Sequence, residues 1–259
     1  MSLPEAALIG CAGLAMLFAL VWLVQLRTRN AGLIDSVWSW TLGGLALWYA
    51  ACGSAPLQLR LLLAVLGGVW GLRLGTHLLL RNHGKPEDGR YRRFREQWGA
   101  AANRNMFWFF QFQVLFSMLL SISFAVVAWS PREPGSLCVA AAVVVWLISV
   151  TGEGLADWQL EQFKRDPASK GQVCRRGLWR YSRHPNYFFE CLHWLVYVLL
   201  AAGNSWWWLT LGSPLVMAWL LLKLSGVPLT EAQSARSRPG YAEYIRTTSM
   251  LIPWPPRKS

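Results

Sequence analysis

Seven apolar windows divide this chain, at about residues 5–26, 33–53, 57–80, 107–129, 136–155, 187–203 and 205–225. A helix needs about 20 such residues to cross a bilayer. Within hydrocarbon, only helices and closed barrels satisfy their own backbone. The windows do not alternate in polarity, which excludes a barrel. The pattern predicts an all-α, polytopic integral membrane protein, a single seven-helix domain over residues 1–259. Charged residues are 15% of the chain, against about 25% in soluble domains. That composition excludes a disordered chain and a conventional soluble enzyme. The first window begins at Glu5 with no basic stretch before it, so it reads as a span and not as a cleaved signal peptide.

The net charge of +12 gains meaning only once the cations are placed. Twenty-two of the 25 Lys and Arg fall after windows 1, 3, 5 and 7, on one side of the predicted membrane. Arg60, Arg73 and Arg132 are the remainder. The excess of positive charge in cytoplasmic loops puts the N-terminus outside and the C-terminus in the cytoplasm. For a bacterial chain the membrane is the inner one. The same placement explains the cations through topology and anionic lipid, so no nucleic acid is expected. Trp206, Trp207 and Trp208 stand at the outer edge of window 7, as in an interfacial aromatic belt. The five Cys and four His are scattered without ligand spacing, so no disulfide and no metal site are expected.

Ionisable residues inside spans are costly and mark candidate sites. Asp35 opens window 2. Arg73 and His77 share a face of window 3, while Glu153 and Asp157 do so in window 5. Asn186, Glu190 and His193 form a stripe in window 6. These groups predict a polar cavity open to the cytoplasm. Before window 6 runs Gly177-Leu178-Trp179-Arg180-Tyr181-Ser182-Arg183-His184-Pro185-Asn186-Tyr187. Pro185 suits the first helical turn, which leaves Arg183 and His184 at a helix N-terminus, a favourable place for phosphate. A second polar block is Arg81-Asn82-His83-Gly84-Lys85-Pro86-Glu87-Asp88, and a third surrounds Tyr241 and Tyr244. Together they describe a mouth for an anionic, partly aromatic ligand. Neither a GxGxxG nor a GxxxxGK[ST] is present, so a nucleotide would be held outside the familiar phosphate loops.

The stretch from Gly177 to Glu190 resembles the C-terminal signature of the steroid 5-alpha-reductase family, and in particular its bacterial DUF1295 group of membrane proteins. Asn82-His83-Gly84-Lys85-Pro86 is similar to that family's Asn-Arg-Gly-Arg-Pro segment, and Asp157 with Lys164 to its Asp–Arg pair. The resemblance covers about residues 30–255 and is densest over 150–255, the cofactor-binding C-terminal part. It implies NADPH as cofactor. Asn82, Lys85, Asp157, Lys164, Tyr181, Arg183, His184, Asn186, Tyr187, Glu190, Tyr241 and Tyr244 would contact it. Arg183, Lys85 and Lys164 would neutralise phosphate, and Asn186 would hold the nicotinamide carboxamide. The implied reaction is hydride transfer to an activated C=C bond of an apolar, steroid- or isoprenoid-like substrate drawn from the membrane lipids.

Asp35, Glu190 and Glu231 are the candidate catalytic residues, with Asp35 a possible proton donor to a carbonyl. Trp38, Trp70, Arg73, Phe109 and Gln111 are the candidate substrate residues. The chain departs from the family at Phe189, where a small residue is usual, and near Trp70, where a catalytic Tyr has no counterpart. The alternative is an S-adenosylmethionine-dependent lipid or isoprenoid methyltransferase, a class with a similar Arg-His-Pro segment, a later Glu such as Glu231, and a Tyr-rich tail.

Overall fold

The computed structural model describes residues 1–257; Lys258, one of the cations counted above, lies outside them. Among the described residues all regular structure is helical. Five stretches are long and apolar enough to cross a membrane: Leu3–Thr28, Leu57–Asn82, Gly89–Ala128, Ser136–Arg165 and Trp207–Ser237. The chain forms two compact units. One comprises Met1–Gly135 with Leu200–Ser213, the other Ser136–Leu199 with Pro214–Ser259.

In the first unit α1 (Leu3–Thr28) starts with a capping box, in which the Ser2 hydroxyl accepts from the Glu5 amide and the Glu5 carboxylate from that of Ser2. Helices α2 (Leu33–Cys52) and α3 (Leu57–Asn82) then pack against each other along their length. Glycine sets their separation. A Cβ on Gly71 would lie 2.7 Å from the Gly43 Cα, so any side chain there forces the helices apart. The window at 33–53 does become a helix. It carries the polar residues Asp35, Ser36, Ser39 and Thr41 in its first half. The short α4 (Gly89–Trp98) is capped by Asp88, whose carboxylate accepts from the Arg90 amide at 2.9 Å. It leads through a turn of 3-10 helix into α5 (Ala102–Ala128).

In the second unit α6 (Ser136–Arg165) is the longest helix, at 30 residues. The apolar window at 187–203 does not form one rod. It is split into α7 (Pro185–His193) and α8 (Leu195–Leu200) by a turn at Trp194. Pro185 occupies the first turn of α7, as its missing N–H permits. The α6–α7 contact is close at Gly152, where a Cβ would fall 2.4 Å from the Phe189 ring. Phe189 thus fills space that the facing glycine leaves. Helix α9 (Gly212–Trp219) runs into a π-helical turn at Leu220–Leu224, followed by α10 (Val227–Ser237) and α11 (Tyr241–Thr247). A π-turn widens the helix and often marks a functional segment.

Candidate functional site

The richest polar cluster of the second unit is built around the N-terminus of α7. Arg183 is 8% exposed. Its Nε donates to Glu231 Oε1 at 2.7 Å, and its Nη1 donates to the carbonyls of Ile245 and Thr248 at 3.0 and 2.6 Å. His184 Nε2 meets the same Glu231 oxygen at 3.0 Å. The His184 ring stacks on Tyr187 with centroids 5.1 Å apart and planes within 4°. Three of the five guanidinium donors of Arg183 are therefore committed inside the protein. The same side chain is the one expected to neutralise phosphate, and its Nη2 donors take no part in these bonds. It is a tie between α7, α10 and the tail.

The tail is fastened along the whole segment before α7. The Arg183 amide donates to Ser249 O at 2.8 Å, and the Trp254 amide to Tyr181 O at 2.9 Å. Ser182 Oγ donates to Leu251 O at 2.8 Å, while the Tyr244 hydroxyl donates to the Trp179 carbonyl. Trp179 in turn donates from its indole to Ala156 O on α6 at 2.8 Å, and the Leu178 amide bonds Gln159 Oε1 at 2.9 Å. Tyr241 and Tyr244 lie in this closure, as the sequence expects. Burial pushes the Tyr241 phenol up to about 12, with the nearby Glu231 adding to the effect, and pushes Tyr244 up as well. Both hydroxyls stay protonated at neutral pH. Tyr181 is 42% exposed beside Arg180, whose guanidinium carbon lies 6.0 Å from the ring centroid.

One turn into α7 the arrangement changes. Asn186 Nδ2 donates to Asp157 Oδ1 on α6 at 3.2 Å, while Asn186 Oδ1 is buried without a hydrogen-bond partner. An amide fixed at one end and open at the other is an acceptor awaiting a donor. Glu153 and Asp157 are buried on α6 beside it in sequence register, at 4% and 8% exposed. Glu190, also buried, accepts from the Trp194 indole at 3.2 Å. Lys164 is exposed at the end of α6.

The first unit gathers its own cluster. Asp35 at the start of α2 accepts from Arg90 Nη2 at 2.7 Å and from the Tyr91 hydroxyl at 2.5 Å. Each oxygen of Asp35, the residue expected to donate a proton, thus meets a donor, one from Arg90 and one from Tyr91. Arg90 also bonds Asp88 at 3.1 Å. Burial alone would raise the Asp88 carboxyl, but the Arg90 charge and its bonds outweigh it and hold the group below its ordinary range. Beside this lies Glu87, which takes Arg95 Nε at 2.9 Å and the Ala31 amide at 2.8 Å; Arg95 also reaches Gln25.

Sequence reading counted Arg90 and Arg95 only as topological cations and passed over Tyr91. The two acids Glu87 and Asp88 inside a basic loop were the available signal. Asn82 ends α3 with a buried, unpartnered Nδ2, and Lys85 is exposed. The five candidate substrate residues lie on α2, α3 and α5. Gln111 donates to Ala15 O on α1 at 3.4 Å, and Phe109 packs edge-on to Tyr91, 6.0 Å between centroids. Trp70 is fully buried in α3, Arg73 is half-buried on the same helix, and the half-buried Trp38 keeps an indole N–H without a partner. None of the five lines the large cavity of this unit. Among the described residues no group of three or more His, Cys, Asp or Glu is placed to hold a metal ion.

Helices of this length and apolarity, with polar clusters at their ends, define an integral membrane protein. A family model matches residues 21–248, and the chain belongs to that family, described as Protein of unknown function (DUF1295). No curated protein matches the chain.

Proposed function

We propose that this protein is an NADPH-dependent membrane reductase that transfers hydride to an activated C=C bond of an apolar, steroid- or isoprenoid-like substrate. The observation that carries the reading is Asn186. Asp157 takes one of its amide N–H groups, and the buried Oδ1 is left as an open acceptor. A nicotinamide carboxamide offers the complementary N–H. The rest of the second unit fits a phosphorylated dinucleotide. Tyr187 and Tyr181 offer ring faces near the start of α7, and Lys164 offers an exposed cation at the end of α6. Arg183, His184 and Glu231 fix the helix start that carries Asn186. When bound, NADPH supplies the hydride; the chain supplies orientation, a buried polar wall and exclusion of water. Glu190 lies one turn beyond Asn186 and positions what Asn186 binds.

This reading includes the membrane arrangement. Helix α2 and the α7–α8 pair complete seven crossings of a bacterial inner membrane, with the N-terminus outside and the C-terminus cytoplasmic. A second reading, an S-adenosylmethionine-dependent methyltransferase, draws on the contact of Glu231 with both Arg183 and His184. Thermal unfolding of the detergent-purified protein with NADPH, NADH and S-adenosylmethionine separates the two. A ligand at about 100 times its Kd stabilises the fold by about 2.7 kcal/mol. Stabilisation by NADPH is expected. A shift with S-adenosylmethionine alone transfers the protein to the second reading, and no shift with any of the three sinks the first.

A further inference from the structure

A void of the first unit lies at the opposite end of α2 from Asp35. It has a volume of about 720 Å³. Leu3 and Ala7 of α1, Tyr49 of α2, Ile122 and Trp129 of α5, and Trp206 line it. Tyr49 is 14 residues from Asp35, about 21 Å along the helix at 1.5 Å per residue. The void is thus separate from the ionic cluster at the other end.

Its walls are mostly hydrocarbon, and polar groups among them are engaged elsewhere. Ser121 Oγ donates to Met118 O at 2.9 Å. Asn204 donates from Nδ2 to Val126 O at 2.9 Å and accepts at Oδ1 from the Trp206 amide at 2.9 Å. Among the described residues, no carboxylate, amine, imidazole or thiol lines the void. Water needs two to four polar partners to remain in a cavity, and these walls offer few. Left empty, a void of this size deprives its lining of dispersion contacts. The mouth is ringed by Leu3, Ile122 and Trp206, exposed at 38%, 38% and 61% on helices that can cross a membrane or at their ends. A tryptophan in such a place sits at head-group level.

We propose that this cavity holds a hydrocarbon chain of a membrane phospholipid, admitted sideways from the bilayer, with the head group left at the surface beside Trp206. The volume falls in the range of sites that bury small apolar ligands. With no acid, base or metal ligand on its walls, the site performs no chemistry. It is a binding site for lipid, and it stands whether or not the cofactor reading holds.

The test uses the full chain in phosphatidylcholine vesicles that contain phosphatidylcholine with a diazirine on one acyl chain. After irradiation, labelled residues are mapped by peptide mass spectrometry. Labelling of residues 118–131 and 204–209 is expected to exceed that of the lipid-facing Leu8–Leu20 face of α1 severalfold. Filling the cavity with Ile122→Trp or Ala7→Phe should remove that excess and leave the α1 labelling unchanged. Equal labelling of both surfaces in the wild type overturns the proposal, as does an excess that persists in folded variants. Should neither variant fold, the wild-type ratio alone decides.

Discussion

Asp35 and Glu231 each hold two donors, yet the clusters around them are built differently. Asp35 receives Arg90 and Tyr91, neighbours on one short helix, and the adjoining Asp88, Glu87 and Arg95 complete a set of pairs among themselves and with the end of α1. This cluster docks α4 onto the starts and ends of longer helices. Glu231 receives Arg183 and His184, the two residues directly before α7, and two further Arg183 donors go to tail carbonyls. This cluster sets the position of a helix start, and one turn further on an acceptor is left open at Asn186. Both are dense in charge. Each also leaves a buried amide atom unpartnered, Gln25 Nε2 in the first and Asn186 Oδ1 in the second, and the proposed cofactor site rests on the second.

The comparison breaks most sharply at the two arginines. The Arg183 side chain is 9% exposed and that of Arg90 is 21%. Removing one partner of a buried pair costs about 3–5 kcal/mol, because the other charge stays behind unpaired. Arg183→Met should approach that cost and also free the tail, seen as new proteolytic cleavage around residues 245–254. Arg90→Met should cost less, since Tyr91 still holds Asp35. Equal losses in denaturation would mean that the two clusters are of one kind. Tyr91→Phe comes next. A bond to a charged acceptor contributes about 1.5–3 kcal/mol, and Arg90 remains on Asp35, so the low end of that range is expected in thermal unfolding.

Asn186→Ala sharpens the contrast from the other side. It removes an open acceptor and one bond to Asp157, so the ligand-free protein should lose only about 1 kcal/mol. Stabilisation by NADPH should disappear. A loss of stability with the NADPH shift intact would make Asn186 scaffold, like Tyr91, and would leave the open acceptor without a function.

The uninterrupted apolar windows were legible, because a helix in hydrocarbon requires a long apolar run and a helix in water does not. Helices α1, α3, α5 and α6 fall where those runs lie. The break at Trp194 was not legible, since an apolar run reads the same whether the helix within it is continuous or split. Helix α4 was read as loop because Gly89–Trp98 is rich in arginine; the helical spacing of Tyr91, Phe94 and Trp98 was the signal passed over. The candidate site was legible in its membership and not in its pairing. Asp157 and Asn186 were named from local pattern. That one oxygen of Glu231 would hold both Arg183 and His184, 48 and 47 residues away, is a long-range fact that periodicity does not carry. The same holds for Asp35 and Arg90, 55 residues apart.

The smallest effect belongs to the outermost pair of the second unit. Arg175 Nη2 bonds Glu243 at 3.0 Å, with both side chains about two-fifths exposed. The hydrogen bond and the charge of Arg175 hold the Glu243 carboxyl below its ordinary value of 4.5. A carboxyl lowered in the folded state stabilises the fold above its unfolded value. That contribution is lost as pH falls through the lowered one. Glu243→Gln should therefore shift thermal unfolding slightly at neutral pH and at low salt. The difference from wild type should vanish as the pH is taken below 4.5, and also as salt is added. A shift at neutral pH comparable with that of Arg183→Met would mean that the tail is held from its rim and not by the buried arginine. The distinction between the two clusters would then have to be redrawn around Arg175.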